Sequence, residues 1–244
     1  MNELFIFIPC VVIWAVIICY ILGMIIISLY SRIMKKSENK TAKMNIASNK
    51  INDSHRISGS PNVKQTIKSM LYGLARYYSI LIGRIPSHHL RKILLRFCFS
   101  MEIHRKAVIY GGFEFRSPWN ISIGNSVVGV GALLDGRCGI IIHDDVTLAQ
   151  NVCIFTLQHD VNDPSFRTTG KGGAVEINQY AWISSNCTIL PKVQVGEGAV
   201  LASGAVATKD LVAYSINAGI PARKISERNR DLSYHTTNTY WHFY

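Results

Sequence analysis

The sequence predicts a mainly β protein built on a parallel β-helix of six-residue repeats, preceded by an N-terminal transmembrane helix and amphipathic helices. Three observations predict it. Ile177, Ile183, Ile189, Val195 and Leu201 recur every six positions, with Ala207 continuing the frame. Residues 4–30 carry no charge. Residues 31–106 hold 16 Lys/Arg against 3 Asp/Glu, whereas residues 107–244 hold 10 against 11.

The uncharged run is long enough to cross a bilayer, which takes about 20 apolar residues. No Lys or Arg precedes it, so the basic start of a signal peptide is missing. Arg32, Lys35, Lys36, Lys40 and Lys43 follow it. The positive-inside rule then puts the N-terminus outside and the rest of the chain in the cytoplasm. The expected location is the inner (cytoplasmic) membrane, single-pass. The basic excess beside the span suits anionic head groups. A nucleic-acid reader needs basic residues on its folded domain and a matching motif, and neither is present, so no nucleic acid is expected. Six scattered cysteines without a C-x-x-C pair point to free thiols in a reducing compartment.

The chain divides into residues 1–33, the anchor; 34–62, a polar Ser/Asn/Lys linker; 63–100, an amphipathic helical segment; 101–228, the β-helix; and 229–244, an aromatic tail. In the helical segment Ile67, Met70, Leu71, Leu74, Tyr78 and Leu81 share one helical face. Gly83 and Pro86 break that helix. Ser87 caps a second, running through Phe99, with Leu90, Ile93, Leu94, Phe97 and Cys98 on one side. These helices either lie on the membrane surface or pack on the end of the next domain.

Period six fits neither a strand, with period two, nor a helix, with period 3.6. Six residues make one short strand and one turn, and three such units close a triangular coil. The aliphatic residue points inward and stacks about 4.8 Å from its neighbour in the next coil. Four residues later comes a mostly small residue, such as Ala181, Cys187, Val193, Ala199 or Ala205, where the corner leaves little room. The frame continues upstream at Ile142, Leu148 and Ile154, with Val146 and Val152 in the small slot, and at Ile123 with Val127. It breaks at 129–139 and at 157–174, the latter polar and rich in Gly and Asp. An insertion that keeps the register is a loop, and loops on rigid scaffolds carry function.

Four stretches carry a resemblance: LLDGR (133–137), TLQHD (156–160) with NDPSF after it, YAWISSNCTILPKVQVGEGAVLASGAVATKD (180–210) and AGIPARKISER (218–228). Over residues 103–228 the chain resembles the hexapeptide-repeat acyltransferases, most of all the sugar O-acetyltransferases of colanic-acid and capsule type. The resemblance implies a left-handed β-helix, acetyl-CoA as acyl donor, no metal, and a homotrimer with its active site between neighbouring subunits. It implies His159 as general base for direct attack by a hydroxyl, a role that suits imidazole near neutral pH. Asp160 either orients His159, binds the acceptor or caps the loop. Asp135 and Arg137 fall in the family's acceptor region, or form a structural ion pair. For CoA the resemblance points to Trp182, Ser185, Ser203, Thr208, Lys209 and Arg223, the two basic groups meeting phosphates. Departures from the pattern are His143, Ser184 and Lys192, where glycine is usual, and Asp160, where proline follows the histidine.

The function implied is acetyl transfer to a sugar hydroxyl in capsule, exopolysaccharide or lipopolysaccharide synthesis, with a carbohydrate acceptor, free or lipid-linked. Alternatives are a non-catalytic membrane-anchored scaffold, or a small acceptor such as serine or an antibiotic. A zinc hydratase on the same scaffold needs three histidines from adjacent coils. The repeats offer two, His143 and His159.

Overall fold

The computed structural model describes residues 2–48, 62–168 and 172–236. Helix α1 (Asn2–Ser48) is followed by α2 (Val63–Gly83) and α3 (His88–Phe99). The solenoid then begins. Its first coil holds β1 (Glu102–Ile103), β2 (Val108–Ile109) and β3 (Glu114–Arg116). The second holds β4 (Ile121–Ile123), β5 (Val127–Val128) and β6 (Leu133–Asp135), and the third β7 (Ile140–Ile142), β8 (Thr147–Leu148) and β9 (Cys153–Phe155). The fourth is β10 (Val175–Ile177), β11 (Trp182–Ile183) and β12 (Thr188–Ile189). The fifth is β13 (Gln194–Val195), β14 (Val200–Leu201) and β15 (Val206–Ala207). Strands β16 (Ser215–Ala218) and β17 (Arg223–Glu227) are the last among the described residues.

Corresponding strands of successive coils stack into three sheets, and every pairing is parallel except β16 with β17. The core is the column of inward residues on each face. On the first face Ile123 pairs with Ile142, Ile142 with Ile177, and Ile177 with Val195. On the third face Phe115, Leu134, Ile154, Ile189 and Ala207 follow one another, all buried. Each such side chain is worth about 1.5–3 kcal/mol relative to exposure.

The corners repeat as strictly as the core. The turn from first to second face passes through a left-handed residue at Asp145, Tyr180, Gly198 and Tyr214. The turn from second to third face does so at Gly112, Gly131, Asn151, Asn186 and Gly204. Gly, Asn and Asp dominate because they tolerate this conformation at least cost. Lys192, one of the departures from the resembled pattern, also has φ of 73°, the region glycine favours. Gly129 answers a different need: a Cβ there would run into the backbone of Leu148 and Ala149 in the next coil. Gly129→Ala is therefore expected to destabilise the fold by about 1–3 kcal/mol, read as a lower urea midpoint.

The extra residues at 129–139 are absorbed by a 3-10 turn, Gly136–Cys138, at the third-to-first corner. A second such turn, Pro118–Asn120, sits one coil earlier. Upstream of Ile142 the six-residue frame slips. Val128, not Val127, faces the core, and Ser126 takes the buried small position.

The three helices cap the first coil, whose outer edge has no neighbouring coil. Arg91 donates from Nε and Nη2 to Ile109 O, and from Nη1 to Ile85 O. Lys92 Nζ donates to Arg105 O and Ala107 O at 3.0 and 2.8 Å. Arg96 donates to Ile103 O at 2.6 Å through Nη2. Open sheet edges need such partners. Over the third face, Ser79 Oγ accepts from Phe115 N at 2.9 Å and Arg76 pairs with Glu114 at 2.8 Å.

This edge-capping sets which sides of the helices meet the solenoid. The apolar side of α3 is split: Leu90, Ile93 and Phe97 are exposed, Leu94 packs partly on the core, and Cys98 is buried with His88, Arg91, Lys92, Leu95 and Phe99. The first-coil carbonyls claim the basic side because they need donors. In α2 the expected face packs inward at Leu71, Leu74 and Tyr78, beside buried Ala75, Ser79 and Ile82, while Ile67 and Met70 nearer its start are exposed. The polar stretch from 34 is helical as far as Ser48, because α1 meets no Pro or Gly there and docks on the cap. Lys35 Nζ donates to Ser100 O and pairs with Glu102, both at 2.8 Å. Residues 49–61 of the predicted linker lie outside the described residues. Ser87 caps α3 as expected, its Oγ accepting from Leu90 N.

Candidate active site

The loop after β9 leaves the solenoid at the third-to-first corner and returns at β10. Coils three and four still pair directly across it, Ile140 with Val175, Leu148 with Ile183 and Ile154 with Ile189. The loop ties itself together. Asp160 N donates to Arg167 O at 2.7 Å, and Phe166 N to Asp163 O at 2.8 Å. Arg167 Nε donates to Asp163 Oδ2 at 2.8 Å. That bond, with Ser165 N on the same carboxylate, holds Asp163 below the usual carboxylate range. Residues 169–171 are outside the described set.

His159 sits exposed at the loop's start. Its Nδ1 lies 2.5 Å from Phe166 O, and its ring stacks on the Phe166 ring at 4.2 Å, 4° from parallel. A carbonyl only accepts, so Nδ1 carries the proton and Nε2 of the neutral ring keeps its lone pair. Phe166 reaches this position with φ of 49°, a conformation that costs an L-residue about 1–2 kcal/mol. The NDPSF motif contains Phe166, but sequence reasoning gave it no role; an aromatic residue seven after the histidine was the available signal. Phe166→Ala keeps the carbonyl and loses the stacked ring. With His159 as the expected base and acetyl-CoA as the expected donor, it should lower kcat about 10-fold through misplacement of the imidazole, with KM for the donor unchanged.

Asp160 caps the loop, its Oδ1 accepting from Asn162 N at 3.1 Å. Asp135 is fully buried and grips Arg137 through two bonds from Nε and one of 2.6 Å from Nη2. The bond to Asp135 raises the Arg137 pKa against the opposing effect of burial. Arg137 Nη2 also reaches Leu157 O at 3.4 Å, so the pair abuts the root of the His159 loop. Thr156 Oγ1 donates to Asp135 O at 2.6 Å and accepts from Cys138 N. Burial pushes the Cys138 thiol up. Tyr72 of α2 faces this corner, hydrogen-bonded to Ser117; burial raises its pKa.

The residues expected to meet CoA divide into groups. Ser185 and Ser203 occupy equivalent corners of coils four and five, joined through Gly204 N to Ser185 O at 3.0 Å. Thr208 and Lys209 follow β15, and Arg223 opens β17 beside it, where Ala222 N donates to Val206 O at 2.8 Å. Trp182 points outward from the second face, pairing in register with Thr147 and Val200. Lys209 and Arg223 are exposed, and among the described residues no ion pair occupies them, as phosphate recognition requires. Ser185 and Ser203 lie on the corner opposite, across the third face, from the one that carries His159 and Lys209. His143, the other repeat histidine, pairs with Glu176 at 2.7 Å at a different corner. Among the described residues no group of three His, Cys, Asp or Glu is placed to hold a metal.

No family model matches the chain. A Staphylococcus aureus (strain COL) protein whose name classes it as an acetyltransferase is 31% identical over 134 residues, covering 52% of this chain and 64% of that protein. The dTDP-4-amino-4,6-dideoxy-D-glucose acyltransferase of Escherichia coli is 28% identical over 130 residues, 50% of this chain and 64% of that protein. Galactoside O-acetyltransferase of Escherichia coli K12 is 33% identical over 99 residues, 39% of this chain and 48% of that enzyme. The chain thus spans less than two thirds of each of these relatives. Among solved structures, a maltose O-acetyltransferase from Clostridium difficile 630 superposes with TM-score 0.55 at 26% identity, covering 64% of this chain and 87% of that one. A galactoside acetyltransferase in complex with coenzyme A gives 0.55 at 25%, covering 63% and 80%. Six-residue repeat, three-faced coil and these likenesses make the chain similar, over its solenoid, to hexapeptide-repeat acetyltransferases on a left-handed β-helix.

Proposed function

We propose that the protein is an acetyl-CoA-dependent O-acetyltransferase acting on a sugar hydroxyl in surface polysaccharide synthesis. The observation that carries this reading is the imidazole of His159, held by Phe166 so that Nε2 is free to accept a proton. Nε2 takes the proton of the attacking hydroxyl as its oxygen bonds to the thioester carbonyl carbon. The carbon–sulfur bond then breaks, the ester remains on the acceptor, and the proton passes from imidazolium to the departing CoA sulfur. Lys209 and Arg223 meet the nucleotide phosphates, Ser185 and Ser203 the pantetheine arm, and Trp182 and Thr208 its surroundings. Asp135 orients Arg137, and Arg137 and Asp160 face the acceptor.

A homotrimer suits this arrangement. Val161 and Phe166 stand 83% and 61% exposed on the projecting loop, apolar surface that a neighbouring subunit would cover. The separation of the CoA residues over two corners also fits a site completed by a second copy. Residues 12–39 of α1 form a helix long and apolar enough to cross a membrane. With the basic residues after it, this supports an inner-membrane protein whose catalytic domain is cytoplasmic. A lipid-linked glycan would then reach the Arg137 corner past Tyr72 of α2.

Thermal unfolding of the full-length protein in detergent, with and without acetyl-CoA, tests the donor. At 100 times its dissociation constant a ligand stabilises the native state by about 2.7 kcal/mol. A Lys209→Ala, Arg223→Ala double variant should lose most of that shift. No shift in a folded wild type would overturn the reading and favour the scaffold alternative. Acceptor screening against His159→Ala then separates a sugar from serine or an antibiotic.

A further inference from the structure

A helix on a soluble domain turns its apolar stripe to the core and its charges to water. Helix α3 does the reverse. Its exposed positions are His89, Leu90, Ile93 and Phe97, with no Lys, Arg, Asp or Glu among them, and Arg91 and Lys92 are buried beneath. Ile93 is 47% and Phe97 67% exposed. Leu90, Ile93 and Phe97, at spacings of three and four, form one stripe. Helix α2 adds Ile67, Met70 and Tyr77, exposed along one side, although its basic residues remain at the surface.

Both stripes border α1. Ser28 Oγ donates to Phe97 O at 3.0 Å, and Ser31 Oγ to Cys98 O at 2.8 Å. Tyr78 OH donates to Tyr20 O at 3.1 Å, and Gly23 leaves the room for the Tyr78 ring. Beside these contacts α1 exposes Ile25, Leu29 and Ile33. The apolar surface therefore continues from the candidate span onto the cap. Exposed Lys64 and Lys68 on α2, and Arg84 just after it, flank it, the charge that anionic head groups attract.

We propose that the outer face of the helical cap, formed by α2 and α3 beside α1, is seated in the anionic leaflet of the bilayer. The span is then residues near the start of α1, and the cap lies in the interface with Leu90, Ile93 and Phe97 among the acyl chains. The first coil is held directly under the lipid surface, and the Arg137 corner beside Tyr72 opens close to it. This inference rests on the membrane reading of α1 given above.

The test uses full-length protein in phosphatidylcholine–phosphatidylglycerol vesicles whose lipids are brominated near the carbonyl end of the acyl chain. The indole introduced by Phe97→Trp, read as the difference from wild type, should lose about half its emission, as an interfacial depth of 5–10 Å implies. Ile93→Trp, on the same stripe, gives a second reading if the first variant misfolds. Val212→Trp, exposed near the far end of the solenoid, should be unaffected. Trp14 serves as the anchor control through Trp14→Phe. Quenching at Trp14 alone, with the cap indole open to aqueous acrylamide, would overturn the proposal and leave the anchor standing. A cap indole shielded from both quenchers would overturn it in favour of a protein partner. No lipid quenching at either place would remove the membrane reading altogether.

Discussion

Replacing His159 with alanine will lower kcat by about 10²–10⁴-fold, the usual contribution of a positioned general base. Stability should hardly change. His159 is exposed, and the loop it opens keeps its own ties from Asp160 N to Arg167 O and from Arg167 to Asp163. The KM for acetyl-CoA should stay near its wild-type value, because Lys209, Arg223, Ser185 and Ser203, the groups assigned to the donor, are all retained. Steady-state kinetics beside a melting curve checks this. A variant retaining more than about a tenth of wild-type kcat would leave His159 without the role of base.

Arg137→Ala will have the largest effect on stability. It strips the partner from a carboxylate that has no exposure at all, since Asp135 accepts three bonds from Arg137 side-chain nitrogens. Breaking a buried pair from one side costs about 3–5 kcal/mol, and the lower end applies because the Arg137 side chain is itself 34% exposed. A double variant, Asp135→Asn with Arg137→Met, leaves no orphan charge and should recover much of the loss. Urea unfolding of the three proteins reads the difference. Equal destabilisation of single and double variants would show that the ion pair is not what holds this corner.

The solenoid was legible because its signal is periodic: one inward aliphatic residue per rung from Ile142 onward leaves few other solutions. It faded upstream because coils one and two carry 3-10 turns at 118–120 and 136–138, which add residues at the corner while the stacked columns stay in register. The helices were legible as elements, and Ser87 as a cap, but not their orientation. Periodicity finds the apolar side of α3 but leaves open whether lipid or protein covers it. It does not register that Ile103 O, Ile109 O and Ala107 O need donors from Arg96, Arg91 and Lys92. In the candidate site His159 stood out through its motif. Phe166 did not, since a stacking contact across a loop has no periodic trace. Of the two roles open to Asp135 and Arg137, the ion pair is formed in the structure, and acceptor contact by Arg137 remains a proposal.

Coils three and four are in register as though nothing stood between them, although 17 residues more than a plain coil separate their strands. The scaffold is thus indifferent to what it carries there. Lengthening such a loop costs little, about 0.6 kcal/mol for each doubling. The segment behaves as a replaceable cassette: a loop of different length or composition can be exchanged at the same two anchor strands, β9 and β10, with the stacking columns intact. What the corner presents can thus change by insertion while the stacked columns on either side stay as they are.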